Sequence, residues 1–411
     1  MIFTNARCIF PDGIRDGLEL VAQDGKIAGI REARHGYPAR GSSGDTPKPQ
    51  EDILDLDGNY LAPGFIDLHV HGAVGRDTME ASPDAFRAIC DFHASGGTTS
   101  LLLTTAAAPL NATPKDVARP DHFGVVDVLN AIGNCRSLIK QIAGVHVEGP
   151  FISKKKRGAH REEFICEPTL GSIARLIEHA DVIKRVTLAP ELPGALDAID
   201  QLRRANISVS GGHSDAWEEE ARAAFTHGMR SVTHMFNCMS SARRRGIYRV
   251  AGLLEFALSE PEIFCELIAD DHHVAATLMK MLYRAKGVQG ICLVTDATAG
   301  AGLPDGSHFS LGGLDCILED GVCVLADHSA LAGSASRMID LVRTMVEKIN
   351  VPLHEAITMA TDAPAHAIGL EAKGTLAIGS DADLVIISPA LEVLRTFVGG
   401  EEVFAQGAAV S

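Results

Sequence analysis

Residues 63–72 read Pro-Gly-Phe-Ile-Asp-Leu-His-Val-His-Gly, an apolar run that ends in two histidines, His69 and His71. Alternate side chains of a β-strand point to opposite faces, so these two histidines share a face where the strand gives way to a glycine. Two imidazoles placed in this way can bind one metal ion, although they can also be ordinary strand histidines. The pattern predicts a strand over residues 65–70, and the rest of the chain decides between the two interpretations of its histidines.

The chain after residue 62 alternates short apolar runs with amphipathic helical stretches, and this alternation is typical of βα units. Eight such runs predict an α/β fold, a (β/α)8 TIM-type barrel with its active site at the carboxyl ends of the strands. Helices are expected between them, for example over Pro83–His93, Ile173–His179 and Trp217–His227. The eight predicted strands are Phe65–Val70, Thr99–Thr104, Ile142–Val147, Arg185–Ala189, Ile207–Ser210, Ser231–Thr233, Phe264–Ala269 and Ile291–Thr295.

The two ends of the chain predict a second, smaller domain. Residues 1–60 combine short strands with turn sequences such as Pro11-Asp12-Gly13, and residues 374–387 form a turn followed by a buried strand. We expect a small β-sandwich domain built from both chain termini, residues 1–60 plus 370–411, beside a barrel of residues 61–369. The stretch Gly36 to Gln50 is rich in Gly, Pro and Ser and is typical of a surface loop.

A β insertion is expected near residues 306–330, after the last barrel strand, because strand patches at Phe309–Leu311 and Val322–Leu325 lie in a Gly- and Asp-rich stretch. Helices are predicted to follow it near Ser334–Ile349 and over Leu353–Ile368.

The charge and composition of the chain exclude several classes of partner. Among 411 residues, 37 Lys and Arg face 53 Asp and Glu, a formal charge of −16 that argues against nucleic acid or an anionic membrane as the main partner. Nine cysteines without a C-x-x-C pair predict buried free thiols in a reducing compartment. No apolar run approaches the ~20 residues of a membrane helix, so we expect a cytoplasmic protein with no membrane partner.

Further metal-ligand candidates follow other predicted strands. Glu148 ends the third strand, His213 follows the fifth, His234 follows the sixth and Asp296 follows the eighth. Any one of these alone is most simply an ordinary loop or core residue. Together with His69 and His71 they would meet at one rim of a barrel, which is the arrangement that a hydrolytic metal site needs.

An ordered series of motifs resembles the amidohydrolase superfamily and, within it, the branch that deacetylates amino sugar 6-phosphates. The resemblance covers nearly the whole chain. Its motifs are Pro-Gly-Phe-Ile-Asp-x-His-x-His-Gly at 63–72, His-x-Glu-Gly-Pro-Phe at 146–151, Lys-x-Gly-Ala-His at 156–160, Gly-His-Ser at 212–214, His-x-Phe-Asn-x-Met at 234–239, Ile-Ala-Asp-x-x-His-Val at 268–274, Val-Thr-Asp-Ala at 294–297 and Leu-Ala-Gly-Ser at 331–334.

The resemblance implies a divalent-metal cofactor, two ions per subunit, with Glu148 as the bridging ligand. Many amidohydrolases bridge their metals with a carboxylated lysine after the fourth strand, but here Leu188-Ala189-Pro190 ends that strand without one. This argues against dihydroorotase-like or hydantoinase-like enzymes. The ligand set His69, His71, Glu148, His213, His234 and Asp296 has no thiolate and suits zinc, iron(II), manganese or cobalt.

The resemblance also assigns roles around the site. Asp296 would take a proton from the attacking water and pass it to the leaving amine, and His160 would help to stabilise the oxyanion. Arg245 would bind the phosphate, although the altered run at 243–249 leaves Arg244 or Arg249 as alternatives. The remaining expected substrate contacts are Ala159, Asn237, Cys238, Asp270, Asp271, His272, His273, Leu331, Ala332 and Gly333.

The implied reaction is the deacetylation of N-acetyl-D-glucosamine 6-phosphate to the free amine and acetate, in amino-sugar catabolism. The galacto counterpart shares these motifs and remains an alternative, because the altered Arg loop and Asp271-His272-His273 lie where the sugar should sit. More distant alternatives are an amidohydrolase acting on another N-acyl or cyclic amide, and an inactive scaffold of the same fold. The expected partners are a phosphorylated N-acetyl amino sugar and a second copy of the chain in a homodimer.

Overall fold

The barrel of parallel strands predicted from the alternating pattern is present in the computed structural model, which describes residues 1–33, 52–111 and 123–407. The surface loop expected over residues 36–50 lies outside this described part of the chain. All eight predicted barrel strands are confirmed, with ends that shift by up to two residues. In chain order the strands are Phe65–Val70, Thr98–Thr105, Ile142–Glu148, Ile183–Leu188, Ser208–Gly211, Ser231–Val232, Phe264–Leu267 and Ile291–Leu293, each hydrogen-bonded to the next.

The barrel closes between its first and eighth strands. A parallel bridge joins Val70 to Ala297, just beyond the eighth strand. The backbone N–H of Asp296 donates to the carbonyl of His69 at 2.9 Å, and the N–H of His71 donates to the carbonyl of Ala297 at 2.8 Å. The two ends of the strand series therefore meet at the residues expected to carry chemistry.

Helices cover the outside of the barrel and pack apolar faces against its strands. The helix expected over Leu353–Ile368 is two helices that meet at Thr361. Pro364 lies in the first turn of the second helix, where its missing N–H costs nothing, but a single continuous helix would need that N–H as a donor. The α-helices are Pro83–Ala94, Val125–Cys135, Leu170–Ile177, Ala195–Arg204, Glu218–His227, Leu253–Ser259, Ala276–Lys286, Met338–Glu347, Leu353–Ala360 and Asp362–Ile368, and the 3-10 helices are Thr78–Glu80, Lys154–Lys156, Glu162–Phe164 and Val288–Gly290.

Strands from both chain ends form one eight-stranded sheet, as the sequence predicted for the smaller domain. The chain passes directly from this sheet into the barrel at Gly64, where a Cβ atom would lie 2.2 Å from the side chain of Thr99. The domain limits at residues 60 and 370 stay predictions. In order across the sheet, the strands are Glu401–Ala405, Val393–Val398, Leu384–Ile387, Tyr60–Pro63, Ile2–Phe10, Gly13–Gln23 and Lys26–Glu32, and Ile53–Asp55 pairs with Ile2–Phe10.

A four-stranded antiparallel sheet follows the eighth barrel strand and corresponds to the expected insertion. Its apolar residues form a small core of their own around Cys316, Cys323 and Ala332. Two short hairpins complete the strand inventory. The insertion strands are His308–Leu311, Leu314–Glu319, Val322–Leu325 and Leu331–Ser334, and the hairpins pair Gly72–Ala73 with Arg76–Asp77 and Arg243–Arg245 with Tyr248–Val250.

The nine cysteines are all free, and all except Cys166 and Cys238 are buried. Within the described ranges, no helix combines the length and the apolar character that a bilayer crossing requires.

Candidate active site

The six predicted metal-ligand residues come together at the carboxyl ends of the barrel strands. His69 lies within the first strand and Glu148 is the last residue of the third, whereas the other donors lie just beyond their strands. His213, His234 and Asp296 have positive φ angles of 46°, 30° and 49°. The left-handed conformation is uncommon for residues other than glycine, and it turns the chain sharply past each strand end. These turns direct the three side chains into the site.

The donors form two groups of three. His69, His71 and Asp296 make up one group, and Glu148, His213 and His234 make up the other, with all ligand atoms of a group within 4.8 Å of one another. The Nε2 atoms of His69 and His71 are 3.2 Å apart, and those of His213 and His234 are 2.9 Å apart.

Glu148 lies between the two groups. Its Oε2 is 3.4 Å from Nε2 of His69 and 3.2 Å from Nε2 of His71. Its Oε1 is 3.2 Å from Nε2 of His213 and 3.1 Å from Nε2 of His234. Each carboxylate oxygen therefore faces one pair of imidazoles, which is the geometry of a carboxylate shared by two cation sites.

Hydrogen bonds behind the histidines indicate which ring nitrogen carries the proton. Nδ1 of His69 faces Oε2 of Glu266 at 3.2 Å, and Nδ1 of His213 faces the carbonyl of Lys156 at 2.8 Å. Both partners are acceptors, so each Nδ1 donates, and the neutral form of each ring therefore has its lone pair on Nε2, directed into the site. This is the tautomer that a metal-binding imidazole needs.

His160 has the opposite tautomer. Its Nδ1 accepts the backbone N–H of Ala107 at 3.1 Å, so its proton lies on Nε2, 3.3 Å from Oε2 of Glu148. Burial lowers the pKa of His160 to about 4, which keeps the ring neutral at physiological pH. His160 therefore presents a neutral N–H donor to the site.

Charges within the site shift the pKa values of its buried groups. Burial alone would lower the pKa of His69, but the carboxylates of Glu148 and Asp296 outweigh burial and raise it well above the ordinary value. Burial alone would raise the pKa of Glu148, but the charges of His69 and His213 lower it well below its usual range. The site thus favours an ionised Glu148 carboxylate, and that carboxylate in turn raises the affinity of His69 for a proton.

Comparison with known proteins gives a consistent result. The model of the amidohydrolase family matches residues 60–403. The chain belongs to the amidohydrolase family.

Relatives of this amidohydrolase match it over most of its length. It is 34% identical to the N-acetylglucosamine-6-phosphate deacetylase of Vibrio furnissii, over 86% of this chain and 85% of that protein. It is 32% identical to the N-acetylgalactosamine-6-phosphate deacetylase of Escherichia coli, over 96% of this chain and 97% of that protein. The crystal structure of the N-acetylglucosamine-6-phosphate deacetylase from Pasteurella multocida superposes with a TM-score of 0.87 at 31% identity, covering 98% of this chain and 99% of that one.

The donors of this amidohydrolase fit divalent metal ions, on which the superfamily depends. Imidazole nitrogens that face each other at 2.9–3.2 Å can share at most one proton per pair, so unshared lone pairs converge there. Nδ1 of His71 and Nδ1 of His234 are buried without a hydrogen-bond partner, so the protein alone does not fix the tautomer of these two rings. Cations between the rings would satisfy the lone pairs that the protein alone leaves unmatched.

A cavity of about 180 Å³ opens directly above the donors. Of the predicted substrate contacts, Ala159, Asn237, Cys238, His273, Leu331 and Gly333 line it. The catalytic candidates Asp296 and His160 also line it, together with Leu311 and Ala330 from the insertion. The insertion of this amidohydrolase thus forms one wall of the cavity, and of its lining residues the sequence analysis named Leu331 and Gly333 but not Leu311 and Ala330.

His273 is fixed in the cavity wall by Asp270. Its Nδ1 donates to Oδ2 of Asp270 at 2.7 Å, and the backbone N–H groups of His272 and His273 donate to Oδ1. Burial alone would lower the pKa of His273, but the hydrogen bond to Asp270 outweighs burial, and the net effect is a raised pKa. Asp270 therefore acts behind His273 and does not itself line the cavity.

Three further predicted contacts lie away from the cavity lining. Asp271 and His272 are exposed, and Asp271 forms an ion pair with Lys348. Ala332 is fully buried in the core of the insertion, and its carbonyl accepts the hydroxyl of Thr298 at 3.1 Å.

Arg245 also lies outside the cavity lining, on the hairpin formed by Arg243–Arg245 and Tyr248–Val250. Its guanidinium pairs with Glu219 at 2.5 Å and stacks on the indole of Trp217 at 4.6 Å. Arg243 stacks on the same indole at 4.0 Å. The phosphate-binding role predicted for Arg245 would require this side chain to leave Glu219, and it stays a prediction.

Sequence reasoning missed a pair of charged residues below the donors, Arg185 and Glu266. They are 0% and 1% exposed, and they form an ion pair inside the barrel. A signal was present in the sequence, since Glu266 is a lone carboxylate in the otherwise apolar run Phe264–Ala269 and Arg185 begins another strand. Such residues are almost never fully buried unless they are paired.

Proposed function

We propose that this amidohydrolase is a metal-dependent deacetylase that hydrolyses the acetamide of N-acetyl-D-glucosamine 6-phosphate, releasing acetate and D-glucosamine 6-phosphate. The observation that carries the proposal is the position of Glu148, with one oxygen facing each pair of imidazoles beneath the cavity. Relatives over nearly the full chain carry this activity in their names.

The cofactor is two divalent ions per subunit. One would be held by His69, His71, Glu148 and Asp296, and the other by Glu148, His213 and His234. Donors of imidazole and carboxylate type suit zinc, iron(II), manganese or cobalt. Ions bound there supply an activated water and a positive charge beside the amide carbonyl.

The side chains around the cavity transfer the proton, stabilise the developing charge and bind the substrate. Asp296 accepts a proton from the attacking water and returns it to the nitrogen of the leaving amine. His160 donates its Nε2–H to the carbonyl oxygen as negative charge develops there, and its backbone-fixed Nδ1 orients the ring for this contact. His273, anchored by Asp270, and Asn237 contact the phosphosugar, with Ala159, Cys238, Leu331 and Gly333 around it.

The second candidate is deacetylation of N-acetylgalactosamine 6-phosphate. The specific observation in its favour is a relative of that name at 32% identity over 96% of this chain. The two sugars differ only in the configuration of one hydroxyl, and the donors, Asp296 and His160 would serve both reactions equally.

An acetate-release assay decides between the candidates. The two N-acetylamino-sugar 6-phosphates are compared side by side, each with and without the phosphate, using protein stripped of metal and then reconstituted. We expect the gluco 6-phosphate to give the highest kcat/KM and the stripped protein to be inactive. A preference for the galacto sugar would select the second candidate. Equal cleavage of the sugars without phosphate would refute phosphate recognition, and no acetate release from any of them would refute the deacetylase.

The homodimer and the cytoplasmic location expected from the sequence stay predictions. Light scattering of the purified protein tests the first, and cell fractionation tests the second.

A further inference from the structure

A buried polar cluster lies beneath the donors, inside the barrel. Arg185 projects from the fourth strand and Glu266 from the seventh, and their side chains are 0% and 1% exposed. Nη1 of Arg185 donates to Oε1 of Glu266, and Nη2 donates to the hydroxyl of Ser231 at 3.1 Å. Placing two charges inside a barrel is costly, so the cluster needs a reason beyond packing.

The second oxygen of Glu266 contacts both donor groups. Oε2 accepts Nδ1–H of His69 at 3.2 Å and the backbone N–H of His234 at 3.3 Å. The backbone carbonyl of Glu266 accepts the N–H of Met235 at 2.8 Å, which holds the chain just after His234. One residue thus connects the group of His69, His71 and Asp296 with the group of Glu148, His213 and His234.

The chemistry of the cluster argues against a third metal site, although His69, His146 and Glu266 place ligand atoms within 4.8 Å of one another. Arg185 already supplies a cation to Glu266, and this single carboxylate would have to neutralise a second, divalent charge as well. The guanidinium therefore already balances the negative charge of Glu266 that a metal ion at this position would need.

We propose that Glu266, held by Arg185, is a positioning residue that fixes the tautomer of His69 and the backbone at His234, and so aligns both donor groups for metal. The inference rests on the metal centre of the proposed function. Arg185 donates from Nη1 to Oε1 of Glu266 and so holds the carboxylate in place inside the barrel. Partners behind metal ligands orient the ligand and raise its basicity, and their loss typically lowers metal affinity about 10–100-fold.

The test measures metal binding by protein stripped of metal, so it does not depend on which substrate is cleaved. The main variant is the double substitution Arg185→Met with Glu266→Leu, because replacing both buried charges by apolar groups of similar volume is often tolerated. Glu266→Gln, which keeps the size but not the charge, is a second variant in case the double variant does not fold. Ser231→Ala is the matched control, since it removes the other hydrogen bond of Arg185 and leaves Glu266 intact.

Zinc affinity is measured by competition with a chromophoric chelator, and the ligand geometry is read from the absorption spectrum of the cobalt(II) protein. We expect the double variant to lose about 10–100-fold in zinc affinity and to change the cobalt spectrum. Glu266→Gln should show a loss in the same direction, and Ser231→Ala should match the wild type in both measurements. With the substrate that the acetate-release assay identifies, kcat should fall in the Glu266 variants while KM stays unchanged.

A folded double variant that binds zinc within twofold of the wild type and keeps its cobalt spectrum would overturn the inference and leave Arg185 and Glu266 as a structural ion pair. If only Glu266→Gln folds, the same result for that variant overturns it. A wild-type protein that binds no divalent metal would instead overturn the proposed function, and this inference with it.

Discussion

Asp67 accepts the hydroxyl hydrogen of Thr295 at 2.5 Å across the seam where the first and eighth barrel strands meet. Oδ1 of Asp67 also accepts the backbone N–H groups of Thr295 and His69, each at 3.2 Å. Thr295 directly precedes Asp296, and Asp67 lies two residues before His69. One buried carboxylate therefore contacts the backbone of both His69, a proposed metal ligand, and Thr295, the residue before the proposed proton-transfer residue Asp296.

Removing the hydroxyl with Thr295→Val should lower both stability and activity. We expect a loss of about 1–3 kcal/mol in the free energy of unfolding, because a buried acceptor loses its partner. The kcat should fall as well, because Asp296 and His69 lose their common anchor. Thr396→Val is the matched control. Thr396 lies in the sheet of the chain ends, and its buried hydroxyl donates to the carbonyl of Ala94 at 2.7 Å. Denaturant unfolding and steady-state kinetics of both variants check this, and a wild-type kcat in Thr295→Val would contradict it.

Asp296→Asn should separate proton transfer from metal binding. The amide cannot take a proton from water or return one to the leaving amine, so kcat should fall by about 10²–10⁴-fold. The imidazoles and Glu148 remain, so metal content measured by elemental analysis should stay largely intact. Turnover close to that of the wild type would show that another group moves the proton.

His160→Ala should remove the neutral N–H donor from the cavity. Loss of one oxyanion donor typically lowers kcat about 10²–10³-fold, and KM should change little because the effect belongs to the transition state. His160→Gln, whose amide can also donate, should recover part of the loss. A rise in KM at constant kcat would assign His160 to substrate binding instead.

The barrel and its donors could be predicted from the sequence because both depend on local patterns. Short apolar runs define parallel strands, and a parallel barrel places every strand end on the same rim, so spacing alone brings His69, Glu148 and Asp296 together. Contacts that depend on the register between distant strands could not be predicted in this way. Arg185 and Glu266 are 81 residues apart, and their pairing follows from which strand faces which across the barrel.

The hairpin of Arg245 shows a second limit of sequence reasoning. The resemblance places Arg245 at the phosphate, but a position in a motif does not fix the direction of a side chain on an exposed hairpin. In the structure, the stacking of Arg243 and Arg245 on Trp217 and the pairing with Glu219 determine that direction. The break at Thr361 was missed for a related reason, since periodicity extends across Pro364 although the hydrogen bonds do not.

Arg245→Ala tests the predicted phosphate contact. If Arg245 binds the phosphate, KM for the phosphorylated sugar should rise about 10–100-fold, which corresponds to the ~1.5–3 kcal/mol of a hydrogen bond to a charged group. Arg244→Ala and Arg249→Ala are the matched controls on the same hairpin and should have little effect. A rise in KM in one of these controls and none in Arg245→Ala would move the role to that residue.

Trp217 provides an independent measurement, because it is the single tryptophan of the chain. Recruitment of Arg245 to a phosphate would remove its guanidinium from the indole ring, which it contacts at 4.6 Å. We expect titration with the phosphorylated sugar to change the tryptophan emission of the wild type but not that of Arg245→Ala. Identical emission changes in the two proteins would show that Arg245 does not cause the change.

His93 should make the stability of the protein fall at acidic pH. Burial lowers its pKa from 6.5 to about 4, and a hydrogen bond to the carbonyl of Gly72 only partly opposes burial. The unfolded chain therefore binds a proton at a higher pH than the folded chain does. The contribution of His93 is complete above about pH 6.5 and is lost as the pH falls from there towards 4.

His93→Leu should remove this dependence, because leucine fills similar space and does not titrate. Relative to the wild type, the variant should gain about 1 kcal/mol in the free energy of unfolding between pH 7 and pH 5.5, as expected for a buried histidine with this shift. Urea unfolding of both proteins without metal, at the two pH values, gives the difference between their free energies of unfolding. The titration of the metal-ligand candidates is common to both proteins and cancels in this difference. A difference between the proteins that stays constant with pH would mean that His93 is protonated as readily in the folded chain as in the unfolded one.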